Sequence, residues 1–136
     1  MREIIFRAKT VCDGDWVYGG ITWNPSKKEV FIHTEWDECK VIPETVGQYT
    51  GLCDKNGTRI FEGDVLKILF GKEFFKAVVK FGYYNQTDQI RKTHLGFYFD
   101  FVDSESYRKD VGFWGKTFSK IEVIGNIHDN PELLNK

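Results

Sequence analysis

Methionine occurs once in this chain, and alanine is scarce. Helices favour both residues, so their shortage moves the expectation away from a helical fold. No CxxC and no HxxxH occurs, which removes the familiar zinc and dithiol spacings. The three cysteines, Cys12, Cys39 and Cys53, are odd in number and widely spaced. That is the pattern of reduced thiols in a cytosol rather than of a disulfide framework. Excess charge is also missing. Nineteen basic residues face 20 acidic ones, for a net charge of -1, so no global field draws the chain to nucleic acid or an anionic membrane. No apolar run reaches the length that spans a bilayer. The apolar part of MREIIFRAKTVCDGDW is too short and too interrupted by charge for a secretory signal. The expected location is therefore cytoplasmic, with no membrane partner.

What the chain does hold is aromatic side chains: 12 Phe, 6 Tyr and 4 Trp, 16% of 136 residues. That excess favours strands. The length suits one compact domain or two small lobes and needs no disulfide or metal to stabilise it. Short apolar runs separated by turn signals predict strands at Glu3–Ala8, Trp16–Thr22 and Glu29–His33, with a bulge or close approach at Gly19-Gly20. Phe6, Trp16, Tyr18, Trp23, Phe31 and Trp36 are the expected anchors of this first part. The densest stretch is Gly47–Phe70. It places an Asp54-Lys55-Asn56-Gly57 turn and a Glu62-Gly63-Asp64 reversal between three apolar runs. Further strands are expected at Phe75–Phe81, half-solvated, then at Leu95–Phe101 and Ile121–Asn126, with Tyr83–His94 as a polar loop. Asn130-Pro131-Glu132 predicts a short C-terminal helix. The resulting fold class is mainly β with some α+β character. An N-terminal antiparallel β lobe (1–46) packs on a C-terminal unit (47–136) holding the signature hairpin, an SH3-like barrel and the short helix.

Candidate chemistry is thin. No cysteine sits in a nucleophile's setting, so no catalytic residue is assigned. His33, Glu35, Asp37 and Cys39 would share one face of a strand, a weak candidate cluster for a metal. A solvated acidic edge explains them as well, and no metal or cofactor is expected. Asp54, Glu62 and Asp64 have turn roles that account for them. Lys76 and Lys80 on one strand face, followed by Tyr83, Tyr84, Arg91 and Lys92, combine phosphate-binding charge with rings on which bases stack. They form the alternative reading, a single-stranded nucleic-acid module. Phe113 and Trp114, set between glycines, look presented for self-association.

Three blocks carry a resemblance. The first is Gln48-Tyr49-Thr50-Gly51-Leu52, Asp54-Lys55-Asn56-Gly57 and Ile60-Phe61-Glu62-Gly63-Asp64-Val65. The second is Val123-Ile124-Gly125-Asn126-Ile127 with Asn130-Pro131-Glu132-Leu133-Leu134. The third is the start, Arg2-Glu3-Ile4, Phe6-Arg7-Ala8, Trp16 and Tyr18-Gly19. Together they resemble the YopX family, small proteins encoded by bacteriophages and by prophages of Gram-positive bacteria. The resemblance implies an accessory phage protein of unassigned biochemical function, without catalytic residues to carry over. It also implies homo-oligomers in some members. Gly51, Asn56, Gly57, Gly63 and Asp64 are its structural signature here. The function expected is a non-enzymatic interaction or self-assembling protein in the bacterial host cytosol. A host or phage protein is its further partner, and a metal- or thiol-dependent enzyme is the least favoured reading.

Overall fold

The computed structural model describes residues 3–85, 93–102 and 120–135. The chain divides into two compact units, Met1–Gly51 and Leu52–Lys136. Both are built from antiparallel strands.

The first unit holds β1 (Phe6–Lys9), β2 (Trp16–Asn24), β3 (Glu29–His33), β4 (Glu38–Val41) and the start of β5 (Gly47–Cys53). Their order is β4-β3-β2-β1-β5. β1 uses its second edge twice. Phe6 and Arg7 pair with Gln48 and Gly47 of β5, and then Thr10, just past β1, bridges to Val41 of β4. The sheet therefore curls until its ends meet, which removes an open edge. A 3-10 turn at Pro43–Thr45 links β4 to β5, and the Thr45 hydroxyl oxygen accepts from the Lys9 amide at 2.9 Å. The close approach expected at Gly19-Gly20 is real. A Cβ on Gly19 would lie 1.9 Å from the carbonyl oxygen of His33.

Inside this curl the core is aliphatic: Ala8, Val30, Ile32 and Val41, with Phe6, Val17 and Val46 packed against them. Half of the expected aromatic anchors face out. Trp36 is 86% exposed, and Trp23 and Tyr18 are about half exposed. A ring this small closes around short side chains, and the indoles stay outside. Trp16 is instead covered by the Arg7 guanidinium, 4.6 Å above its ring.

The second unit holds β6 (Arg59–Phe61), which returns on the end of β5, and a four-stranded sheet of order β10-β7-β8-β9. Those strands are β7 (Asp64–Phe70), β8 (Glu73–Asn85), β9 (Thr93–Phe101) and β10 (Ile121–Asn126). Leu66, Ile68, Ala77, Val79, Phe99, Phe101 and Ile121 form its core with Ile60. Strict alternation along β7, β8 and β9 places these side chains on one face.

Three expectations change here. The Phe75–Phe81 strand is not half-solvated throughout. Val78, on the face opposite the core, is 4% exposed because it lines a cleft with Ile127 and Leu134 of the C-terminal segment. The short C-terminal helix is only a 3-10 turn, Pro131–Leu134. It closes by i→i+3 bonds, Leu133 to Asn130 and Asn135 to Glu132, and Asn130 makes no side-chain cap on it. Gly125 makes room for that turn, since a Cβ there would press on Asn130 and Leu133. Finally, the ends of the supposed Tyr83–His94 loop are strand: β8 runs on to Asn85 and β9 starts at Thr93.

Candidate functional site

Two places in the second unit gather the residues singled out in the sequence. The first is the Asp54 turn. Asp54 is buried, and its carboxylate does two jobs. Oδ1 accepts from the amides of Asn56 and Thr58, both at 2.9 Å. Oδ2 accepts from the amide of Val123 on β10, also at 2.9 Å. Alongside, the Lys55 amide donates to the carbonyl of Ile121. One side chain thus shapes a hairpin and fastens it to the first strand edge of the sheet. Only Gly57 of the Asn-Gly pair takes positive φ, at 82°. Its amide donates to the Asp54 carbonyl.

Asp64 repeats the device at the next reversal. It is 2% exposed, and Oδ2 accepts from the Phe61 amide at 2.7 Å. Gly63, with φ 92°, donates to the carbonyl of Val79 and accepts from the amide of Ile127. Gly51, with φ 89°, lies in β5. Asp54, Asn56, Gly57, Gly63 and Asp64 therefore use their polar groups and backbone freedom within the fold, as turn chemistry predicts.

The second place is the outer half of the β8–β9 hairpin. Gly63 of the β6–β7 reversal meets Val79, so β7 accompanies β8 only that far. Beyond it, the paired strands run on as an arm. Register fixes its two faces: Val79 opposes Phe99, Phe81 opposes Phe97, and Tyr83 opposes Leu95. The first pair is buried in the core. Phe81 and Phe97 then pack edge to face, with centroids 5.1 Å apart. Phe81, Tyr83 and Leu95 are 52%, 73% and 60% exposed. The core face of the sheet thus continues outward as an uncovered apolar strip.

The opposite face is polar and occupied. Lys80 Nζ lies 2.6 Å from Asp100 Oδ2. Lys76 Nζ donates to the carbonyls of Leu133 at 2.8 Å and Asn135 at 3.1 Å. Tyr84 stacks on Tyr98, 5.1 Å between centroids. Of the proposed nucleic-acid set, Lys76, Lys80 and Tyr84 share this face, while Tyr83 points to the other. Arg91 and Lys92 lie outside the described residues, as do Phe113 and Trp114. Lys80 is neutralised by a carboxylate, whereas Lys76 keeps its charge and is held in place by two backbone carbonyls.

The weak metal candidate comes apart. His33 ends β3 and Cys39 lies in β4, opposite Ile32. Between them the chain reverses at Thr34, whose hydroxyl oxygen accepts from the amides of Trp36 and Asp37. Glu35 and Asp37 are thus in a turn rather than on a strand face. The His33 ring contacts Glu38 at 3.4 Å and is hydrogen-bonded to Thr22. Among the described residues no group of three or more His, Cys, Asp or Glu is placed to hold a metal ion. No helix there is long and apolar enough to cross a membrane.

Sequence reasoning missed the apolar strip because Tyr83 and the polar run after it read as loop, which cut Phe81 off from Leu95. The alternation Phe81, Tyr83 and Leu95, Phe97 was the available signal. A family model described as YopX protein matches residues 6–135. Among solved structures, the chain resembles the crystal structure of protein EF1440 from Enterococcus faecalis. The TM-score is 0.56 at 21% identity, over 99% of this chain and 100% of that one, a likeness of fold. No curated protein matches the chain.

Proposed function

The chain belongs to the YopX family, and we propose that it is a non-enzymatic, self-associating accessory protein of a phage or prophage. The observation that carries this reading is the apolar strip on the β8–β9 arm. Phe81, Tyr83 and Leu95 at half to three-quarters exposure leave on the order of 400 Å² of apolar surface on one hairpin face. A patch of that size on a two-stranded arm suits a flat partner with the same character, and a second copy of the arm supplies one. Face-to-face pairing about a two-fold axis sets aromatic against aromatic without burying a charge. The area is below that of an obligate dimer, so the expected affinity is micromolar or weaker unless other surfaces join. For the second unit we keep the small SH3-like barrel as its architecture, to be tested by whether amide exchange protects both edge strands of the sheet.

The experiment is light scattering over a concentration series. The wild type should rise from monomer toward dimer, and Tyr83→Thr with Leu95→Thr should stay monomeric while still folding, with a melting temperature within about 5 °C of the wild type. Phe113→Ala with Trp114→Ala tests the other candidate surface: loss of dimer in that variant alone would move the interface there. A wild type that remains monomeric at millimolar concentration would remove self-association altogether. Titration with a labelled oligonucleotide runs beside it. Binding that weakens steeply with salt and is lost on charge reversal of Lys76 and Lys80 would favour the nucleic-acid reading instead.

A further inference from the structure

The closure of the first unit has a consequence for two cysteines. The end of β1 and the end of β4 run antiparallel with one constant register. The Ile42 amide donates to the Lys9 carbonyl at 2.8 Å, and the Val11 amide donates to the Lys40 carbonyl at 3.0 Å. Thr10 and Val41 form the bridge between these two pairs. Past that bridge residues 11–13 turn toward β2, and the Val11–Lys40 hydrogen bond leaves Cys12 and Cys39 as the next residue on each of the two facing segments. A disulfide between them needs Cα atoms within about 7 Å, a distance that neighbours of one interstrand hydrogen bond can reach.

Two further observations agree. Cys12 and Cys39 line the same cleft. Both sulfurs are thiols in this structure, Cys12 exposed and Cys39 half-buried. The backbone that carries Cys12 is held: the Gly14 amide donates to the Thr10 carbonyl, and the Thr10 amide to the Asp15 carbonyl.

We propose that Cys12 and Cys39 are a reversible dithiol–disulfide pair that clasps the end of β1 to β4. The oxidant is a small-molecule disulfide of the glutathione class. The Cys12 thiolate, the more exposed, attacks one sulfur of oxidised glutathione. The S–S bond of glutathione breaks, one glutathione thiolate leaves, and a mixed disulfide forms on Cys12. The Cys39 thiolate then attacks the Cys12 sulfur and displaces the second glutathione. The two protein thiols give up two protons and two electrons, and one glutathione disulfide becomes two thiols. The clasp closes the ring of the first unit covalently beside the Thr10–Val41 bridge and its flanking hydrogen bonds. An accessible cross-strand bond of this kind is readily reduced, so the pair would switch rather than stay locked.

The test equilibrates the full chain, natively folded, in reduced and oxidised glutathione, quenches with acid and maps peptides by mass spectrometry. The expected product is a monomer lacking two hydrogens, with the peptides of Cys12 and Cys39 joined. It should melt about 5 °C or more above the reduced form. The joined peptide should persist in Cys53→Ser and vanish in Cys12→Ser and Cys39→Ser. Glutathione left on Cys12 with Cys39 still a thiol would overturn the proposal. So would a bond from either residue to Cys53 or to another chain. The wild-type map decides the matter alone, so a serine variant that fails to fold does not shield the proposal.

Discussion

The Asp54 turn and the outer β8–β9 arm are both hairpins of the second unit, yet they spend their side chains in opposite directions. Asp54 turns its carboxylate inward and meets three amide donors, one of them on β10. The arm turns Phe81, Tyr83 and Leu95 outward. Polar groups are satisfied inside and apolar groups are left outside, the reverse of the usual sorting. A buried carboxylate is stable only when its oxygens are fully engaged. An exposed apolar strip is tolerable in a monomer but stabilising once something covers it. The first arrangement therefore belongs to folding, and the second belongs to association.

That contrast breaks first at Asp54. Asp54→Ala strands three amides, at least one of them on a covered strand, and should destabilise the protein by about 3 kcal/mol or more. Urea unfolding would show it as a fall in the midpoint with the slope kept. Asp54→Asn sharpens the point. It can still accept at the turn through its remaining oxygen, but it aims an NH2 donor at the Val123 amide, so roughly half of that loss is expected. A loss below about 0.5 kcal/mol for the alanine variant would mean the carboxylate does not organise the fold. Gly63→Val comes next, at about 2–3 kcal/mol, because φ 92° is closed to a β-branched residue and both backbone groups of Gly63 are bonded. Gly57→Val should be milder, since open space surrounds its Cβ position and only the φ of 82° opposes it.

On the arm the order of effects reverses. Tyr83→Thr with Leu95→Thr, the two most exposed side chains of the strip replaced by a strand-forming residue, should cost about 1 kcal/mol. The same pair should abolish the concentration-dependent dimer. If it instead lowers the melting temperature as far as Asp54→Ala does, the strip is packed in the monomer and the contrast fails.

Legibility in the sequence followed the span of each interaction. The turn roles of Asp54 and Asp64 were readable because Asn56, Thr58 and Phe61 lie within four residues. The tie from Asp54 to Val123 crosses 69 positions, and nothing local announces it. The acceptors of Lys76 lie 57 and 59 positions away. A strand with lysines therefore read as solvated and basic, when the C-terminal turn both covers Val78 and engages Lys76. The His33–Cys39 cluster failed for the opposite reason: Thr34 makes a local turn that period-two counting steps over. In the first unit, alternation named the strands but not the curl. Without the curl, Trp23 and Trp36 look like core and Cys12 and Cys39 look unrelated.

The smallest effect concerns the turn that leads out of β1. Asp13 accepts hydrogen bonds from the Thr10 hydroxyl and the Asp15 amide. The Thr10 bond, then the Asp15 amide, hold its carboxyl below the ordinary aspartate value. Glu29 is likewise lowered, chiefly by its hydrogen bond with Lys40, which sits 2.9 Å away. A depressed folded-state pKa favours the folded form while the group is ionised. That contribution is complete above the unfolded value and disappears as pH falls through the folded one. Both carboxylates are at the surface, so the effect is a modest one. The gap in melting temperature between wild type and Asp13→Ala should therefore be constant from neutral pH to about 5 and should close as the pH falls below the ordinary aspartate range. A gap for Asp13→Ala that widens on acidification would reverse the sign assigned to Asp13. The Thr10 turn, and with it the position of Cys12 in the cleft it shares with Cys39, would then rest on backbone bonds alone.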